Sequence, residues 1–391
     1  MTNINDLKPL FLLDPEVVFL NHGSFGATPR PVFEAYQSWQ RRLERQPVRF
    51  IAREMLDHLH SARQRLGSYL HAPADDLVFV PNATFALNIV ARSLDLQPGD
   101  EILTSDHEYG ACNNLWDFVC RKTGAHYVQQ PIPLPVNDAS EIVEQMWRGV
   151  TPHTKVIFLS HISSPTALKF PVEAVCRRAR QAGILTLIDG AHAPGQIPLD
   201  LQAIQADFYV GNCHKWMLSP KGAGFLYTRP ERQALLEPLV VSWGWGENCP
   251  YDGGSHYLNL LEWWGTKDPA AYLSVPAAIQ FQETYDWDQV RQDSRELAIK
   301  TRRRIDALTG LPPICPEPAP DGYLWFQQMT SVRLPDQIDT QVLSRKLYDD
   351  YRIEVPFQHW RERKFMRLSF QGYNSPADAE ALLDALQILL H

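Results

Sequence analysis

No stretch of this 391-residue chain approaches the roughly 20 consecutive apolar residues that a membrane-spanning helix requires. No secretory leader is expected either, because Met1 to Lys8 is polar and the apolar run Pro9 to Leu13 is too short for a signal core. Excess positive charge is absent. A formal net charge of -8 denies the chain the basic footprint that a nucleic-acid backbone or an anionic membrane would need. Local clusters such as Lys300-Thr301-Arg302-Arg303-Arg304 fall on helical patterns and read as solvated faces. Cysteine is sparse. The six (Cys112, Cys120, Cys176, Cys213, Cys249, Cys315) form no CxxC pair and show no metal-ligand spacing, which suits reduced thiols in a cytoplasmic enzyme better than a disulfide framework. These absences leave a globular, cytoplasmic protein with no nucleic-acid, membrane or metal partner. Its length allows two or three domains and an ample core.

What is present centres on Asp207-Phe208-Tyr209-Val210-Gly211-Asn212-Cys213-His214-Lys215-Trp216. An apolar strand, Phe208 to Val210, breaks at Gly211 into polar residues ending in one lysine. The turn-rich Ser219-Pro220-Lys221-Gly222-Ala223-Gly224 then returns to a second strand at Phe225 to Tyr227. A lysine on a tight loop between two strands is poorly hydrated. Desolvation disfavours its ammonium form, and the free amine is a nucleophile toward an aldehyde. A surface loop lysine is the plainer reading of Lys215 alone. Upstream, Gly183 to Asp189 is a continuous aliphatic run, as in a parallel strand covered on both faces, and it ends in a carboxylate. Open α/β sheets bind ligands at such strand ends. A buried carboxylate needs a cationic or hydrogen-bonding partner, and a protonated pyridine nitrogen would be one. Asp189 and Lys215 together point to pyridoxal phosphate, whose aldehyde takes the lysine and whose ring nitrogen takes the acid.

Asp189-Gly190-Ala191-His192 followed by Cys213-His214-Lys215 resembles the cofactor site of the class V aminotransferase family. That family includes cysteine desulfurases, kynureninases and isopenicillin N epimerase. The early segment Phe19-Leu20-Asn21-His22-Gly23-Ser24-Phe25-Gly26 most resembles the epimerase branch, and the resemblance runs from about Phe19 to Asn374. It implies an α/β protein of PLP-dependent transferase fold type I. Residues 31–269 would form a large domain with a mostly parallel sheet flanked by helices, and 1–30 with 270–391 a smaller α+β domain.

It also implies roles. Ala83 and Thr84, opening a helix after the strand Leu77 to Val80, match residues that hold the cofactor phosphate, although Thr84 alone could be an N-cap. Asn212 and His214 join them, as does Thr266 from a second subunit; this expects a homodimer with shared sites. Tyr109 matches the ring that stacks on the pyridine, with His107 as the alternative. His192 would lie near the ring oxygen. Ser164 stands where the family has an asparagine, and its hydroxyl reaches less far. Arg367, read as lying on a strand edge, would grip the substrate α-carboxylate beside Asn21 and Ser24. Plainer readings are a surface salt bridge for Arg367 and turn hydrogen bonds for Asn21, His22 and Ser24. Cysteine desulfurases carry a mobile cysteine before this arginine, whereas Glu354 to Trp360 has none.

The expected enzyme therefore acts at the Cα of an amino acid or an amino-acid-containing peptide, with Lys215 and Tyr109 handling protons. Epimerisation is the leading expectation. A β-eliminating C-S lyase acting on cysteine, cystine or a cysteine sulfoxide and a class V aminotransferase are the alternatives, and a further possibility is a protein of this fold that binds without turnover. The segments expected to select the substrate are Gln46 to Phe50, Trp243 to Tyr257 and Gln358 to Arg363.

Overall fold

The structure, a computed structural model, describes residues 7–246, 249, 252–318 and 322–390. Part of the expected N-terminal arm (1–6) and Tyr251 of the aromatic loop lie outside the described residues.

Twelve strands are present among the described residues, in chain order β1 (Val18–Phe19), β2 (Leu77–Val80), β3 (Glu101–Ser105), β4 (His126–Gln130), β5 (Thr154–Ser160), β6 (Leu185–Gly190), β7 (Phe208–Asn212), β8 (Gly224–Thr228), β9 (Met329–Leu334), β10 (Ile353–Glu354), β11 (Phe357–Trp360) and β12 (Arg363–Ser369). Seven form one sheet in the order β2-β8-β7-β6-β5-β3-β4. The pairs from β7 through β4 are parallel, and β8 runs antiparallel to both its neighbours, so β2 points the same way as β7. Six of the seven strands therefore end at one edge. β2, β7 and β8 are buried throughout, as their unbroken apolar runs require when helices cover both faces. The helices Met55–Leu70 and Val172–Gln181 belong to one apolar cluster with that sheet, and Ala83–Ser93 and Gly110–Thr123 to another.

The second part is built from β9, β11 and β12 in an antiparallel sheet of order β11-β12-β9, with the helices Trp287–Thr309, Thr340–Tyr351 and Pro376–Leu389. β1 pairs in parallel with β10, so the early chain is stitched to the late chain. Asn21 extends this join by bridging to Ser369.

Three expectations change. Arg367 is on β12, the central strand of its sheet, and is 2% exposed, so a surface ion pair is excluded. The stretch before it is not a loop: Phe357–Trp360 pairs residue for residue with Arg363–Met366 as a hairpin turning at Arg361-Glu362. The proline-marked break at Gln46 to Phe50 is a short helical turn, Pro47–Arg49, running through a π-helical stretch, Phe50–Glu54, into Met55–Leu70. Proline at the first helical position lacks only an N–H that would be unpaired there anyway, so it begins this turn rather than breaking it.

Candidate active site

Where β2, β3, β5, β6 and β7 end, they enclose a cavity of about 400 Å³ lined by residues from both parts of the chain. Asp189, next to last on β6, is paired across the sheet with Ser160 of β5 and Val210 of β7. Its carboxylate is 5% exposed and accepts from the Ala191 N–H (2.8 Å) and the Cys112 thiol (3.5 Å). Burial raises its pKa, while the Ala191 amide and the Lys215 charge oppose that rise.

Lys215 reaches the same cavity from the loop after β7. Burial, helped by the positive Arg367, lowers its amine to about 8, while Asp189 pulls the other way. Its Nζ lies 3.2 Å from His192 Nε2. The Trp216 indole can only donate, and it reaches His192 Nδ1 at 3.4 Å. Burial holds His192 well below the usual histidine range, so it is neutral, with its proton on Nε2. That N–H faces Lys215 and suits an uncharged amine as acceptor. The lysine backbone is held separately. His22, also buried and brought to about 3, lies 3.1 Å from the Lys215 carbonyl and 3.0 Å from the Tyr373 hydroxyl. Gly26 lets the early chain pass this loop: its φ is +70°, and a Cβ there would overlap the His214 carbonyl.

The helix Ala83–Ser93 points its N-terminus into the cavity. Asn82 caps it by accepting from the Phe85 amide (2.9 Å), and Asn212 Oδ1 accepts from the Ala83 amide (2.9 Å). Thr84, which lines the cavity, is the residue of this first turn whose amide makes no hydrogen bond to protein among the described residues. His214 stands beside it in the lining, brought to about 4 by burial and close to the Ala223 carbonyl (3.2 Å).

Arg367 forms the opposite wall. Its Nη1 donates to the Ser164 carbonyl (2.9 Å) and hydroxyl (3.0 Å), and its Nη2 to Ser24 Oγ (3.1 Å). Ser24 in turn donates to Asn21 (2.5 Å), which donates to Glu354 (2.9 Å). Ser24 and Arg367 line the cavity, and Asn21 supports them from behind. The Arg367 Nε is buried with no partner among the described residues, as expected of a donor waiting for a carboxylate.

Tyr109, N-cap of the helix Gly110–Thr123, lines the cavity and is 49% exposed. His107 is not in the lining. It is fully buried, bonded to Thr166 and the Ile132 carbonyl, and packed 4.6 Å from Trp360. Thr266 is exposed and away from this cavity.

Sequence reasoning missed three neighbours: Cys112 against Asp189, Ser160 in the lining, and Glu108; Gln358, the first residue of a segment expected to select the substrate, does line the cavity. The Glu108 carboxyl is pushed up to about 7 by burial and accepts from the Ser105 and Ser160 hydroxyls. Ser160, ending a recognised strand, was within reach of the strand-end rule. The others carried no local signal.

A deep carboxylate, a desolvated amine, an open helix N-terminus and a buried guanidinium share one cavity of ligand size. They match the ring nitrogen, aldehyde and phosphate of pyridoxal 5'-phosphate and the carboxylate of an amino acid. Asp189 would hold the nitrogen, Lys215 the aldehyde carbon, and Thr84 with His214 the phosphate.

One consequence is testable without substrate. Only the deprotonated amine attacks an aldehyde, so the rate at which apo-protein takes up the cofactor should rise with pH and level off above about 8. Stopped-flow absorbance measures this; a plateau reached only near 10.5, the ordinary lysine value, would deny the desolvation.

The family model for Aminotransferase class-V matches residues 18–382. The chain is 39% identical over 389 residues to an isopenicillin N epimerase of Amycolatopsis lactamdurans, covering 96% of each. It is 26% identical over 406 residues to a probable chloroplastic L-cysteine desulfhydrase of Arabidopsis thaliana, covering 96% of this chain and 84% of that one. Its fold matches a solved cysteine desulfurase of Thermococcus onnurineus NA1 with a TM-score of 0.82 at 22% identity, over 98% of this chain and 97% of that one.

Proposed function

The chain belongs to the class-V aminotransferase family and is a pyridoxal 5'-phosphate protein; on that footing we propose that it inverts the Cα configuration of an amino acid carried in a larger molecule. The observation that carries this reading is a buried amine near neutrality, Lys215, sharing its cavity with a second proton-bearing side chain, the Tyr109 phenol. Relatedness to an epimerase at 39% identity over nearly the whole chain supports the same choice.

When bound, the cofactor supplies an electron sink that lets the substrate Cα release its proton. The chain's own part is to place that Cα and to move the proton. Arg367, held flat by Ser24 and Ser164, takes the α-carboxylate and leaves its Nε for one of the oxygens. Asp189 keeps a negative charge at the cavity floor, which favours a protonated ring nitrogen. Lys215, a free amine above about pH 8, accepts the Cα proton from its own side. His192 keeps the amine in place through its Nε2–H. Tyr109 delivers a proton from the other side, and inversion follows from that division of labour.

A second reading, a β-eliminating C-S lyase, is favoured by the relatedness to a cysteine desulfhydrase. Both readings use Lys215 as the first base. A persulfide-forming desulfurase is disfavoured, because Ile353–Glu354 and Phe357–Trp360 are strands without cysteine. Cys315 is buried against Arg302 and Cys213 is fully buried. Incubation with substrate candidates in D2O separates the two. Deuterium at Cα with inversion supports epimerisation; pyruvate and free thiol from a cysteine derivative, without inversion of any candidate, would replace it by elimination.

A further inference from the structure

Two carboxyl groups, Asp189 and Glu108, are buried at the strand ends that floor the cavity. Glu108, three residues beyond the end of β3, is 4% exposed. Its Oε1 accepts from the Ser105 hydroxyl (2.6 Å), and its Oε2 from the Ser160 amide (3.1 Å) and hydroxyl. Ser160 lines the cavity and is the β5 residue paired with Asp189, so the second acid stands one side chain behind the first. Cys112 senses both: burial, then the Asp189 and Glu108 charges, raise its thiol pKa. Every donor to the two acids is neutral, and neither acid is in an ion pair among the described residues. Lys215 acts on Asp189. Glu108 is left to burial and the Asp189 charge, which raise it to about 7 against the Ser105 and Ser160 hydrogen bonds. The other titratable groups around it are Tyr127 of β4 and, where Glu108 borders a neighbouring groove, Tyr109, Asp106, His359 and Arg361; Arg361 is paired with Asp106 (2.7 Å).

Buried carboxylates without a cation are costly, so one of two neighbouring acids holds a proton until a positive group arrives. We propose that Glu108 is a positioning residue for the cofactor's ring nitrogen, acting from behind Ser160 and Asp189: its carboxyl is neutral in the empty protein and ionises when the protonated ring enters. The bond broken is the Glu108 O–H, and the proton leaves to solvent. The ring then meets the charge of both acids. A pin between the ends of β3 and β5 is the plainer role for Glu108, and a pin would be indifferent to pH. The proposal rests on the cofactor and not on the reaction, so it applies equally to an epimerase and to a lyase.

Pyridoxine 5'-phosphate tests it, because this probe carries the ring nitrogen and the phosphate but no aldehyde, and so keeps Lys215 chemistry out of the measurement. Its dissociation constant would be measured for the full-length apo-protein and for Glu108→Gln from about pH 5 to about pH 8.5. The titration of the probe itself cancels in the ratio of the two affinities. That ratio should rise about tenfold in the parent's favour over the range, the effect of one unit between the Glu108 pKa of the empty and the loaded protein. The sign follows from the charge: only above its titration does Glu108 carry the negative charge that favours a positive ring, whereas glutamine is neutral throughout. A ratio that does not change with pH would overturn the proposal. If it stayed at one, Glu108 would have no part in binding; if it were large at every pH, Glu108 would be only a pin. Failure of the parent to bind the probe at any pH would instead overturn the cofactor assignment, and the proposal with it. Circular dichroism checks the fold, and Glu108→Ala, equally neutral, becomes the reference if glutamine is not accepted.

Discussion

Replacing Lys215 with alanine is expected to remove the visible absorbance of the cofactor-loaded protein and to lower Cα-proton exchange by about 10³-fold or more. A positioned base contributes roughly 10²- to 10⁴-fold, and no neighbour can take over. His192, 3.2 Å away, is neutral and presents its N–H to the site. Lys221, the nearest lysine in sequence, donates to the Gly26 carbonyl at 3.1 Å. The fold should survive, because the substitution removes a buried amine whose charged form burial disfavours. Circular dichroism would confirm that, absorbance and deuterium exchange would give the loss, and added methylamine should restore part of the exchange. A variant that kept exchange within about tenfold of the parent would remove Lys215 from the chemistry.

Asp189→Asn is expected to have the next largest effect. Asparagine keeps the shape and can still accept from the Ala191 amide, but it cannot balance a protonated ring nitrogen. Losing one buried charge-assisted hydrogen bond costs about 1.5–3 kcal/mol, so cofactor affinity should fall roughly 10- to 100-fold. Exchange should fall by more than the loss in occupancy, because the electron sink weakens as well. The sign on Lys215 can be fixed in advance. The Asp189 carboxylate raises the lysine pKa, so its removal should move the pH midpoint of cofactor uptake below the parent's value near 8. Equilibrium titration of the apo-protein and its uptake rate against pH measure both. An unchanged affinity with an unchanged midpoint would mean that Asp189 does not face the cofactor.

Asp189 and Lys215 were legible in the chain because Asp189 ends one continuous apolar run and Lys215 follows another within a few residues, and buried parallel strands put such ends together. The open first turn of the helix Ala83–Ser93 was legible for a related reason: strand, small polar turn and helix follow one another within a few residues. The strand order and the single reversed strand β8 were not, since they depend on pairings between distant segments. β4, His126–Gln130, escaped notice because it is an edge strand with a polar, half-exposed sequence and no apolar run. The β11–β12 hairpin was hidden by its turn: Arg361-Glu362 has neither the glycine nor the asparagine that usually marks one. That single omission made Arg367 read as an edge residue. Cys112 shows a different limit. Its contact with Asp189 joins residues 77 positions apart, and neither residue type announces the pairing.

The central claim is that the Lys215 amine holds the cofactor's aldehyde carbon in the cavity floored by Asp189. Borohydride reduction of the loaded protein, followed by proteolysis and mass spectrometry, tests it most directly. The account predicts one pyridoxyl-phosphate label, on the peptide containing Lys215 and lost in Lys215→Ala; a label on Lys221 or Lys267, or none at all, would contradict it.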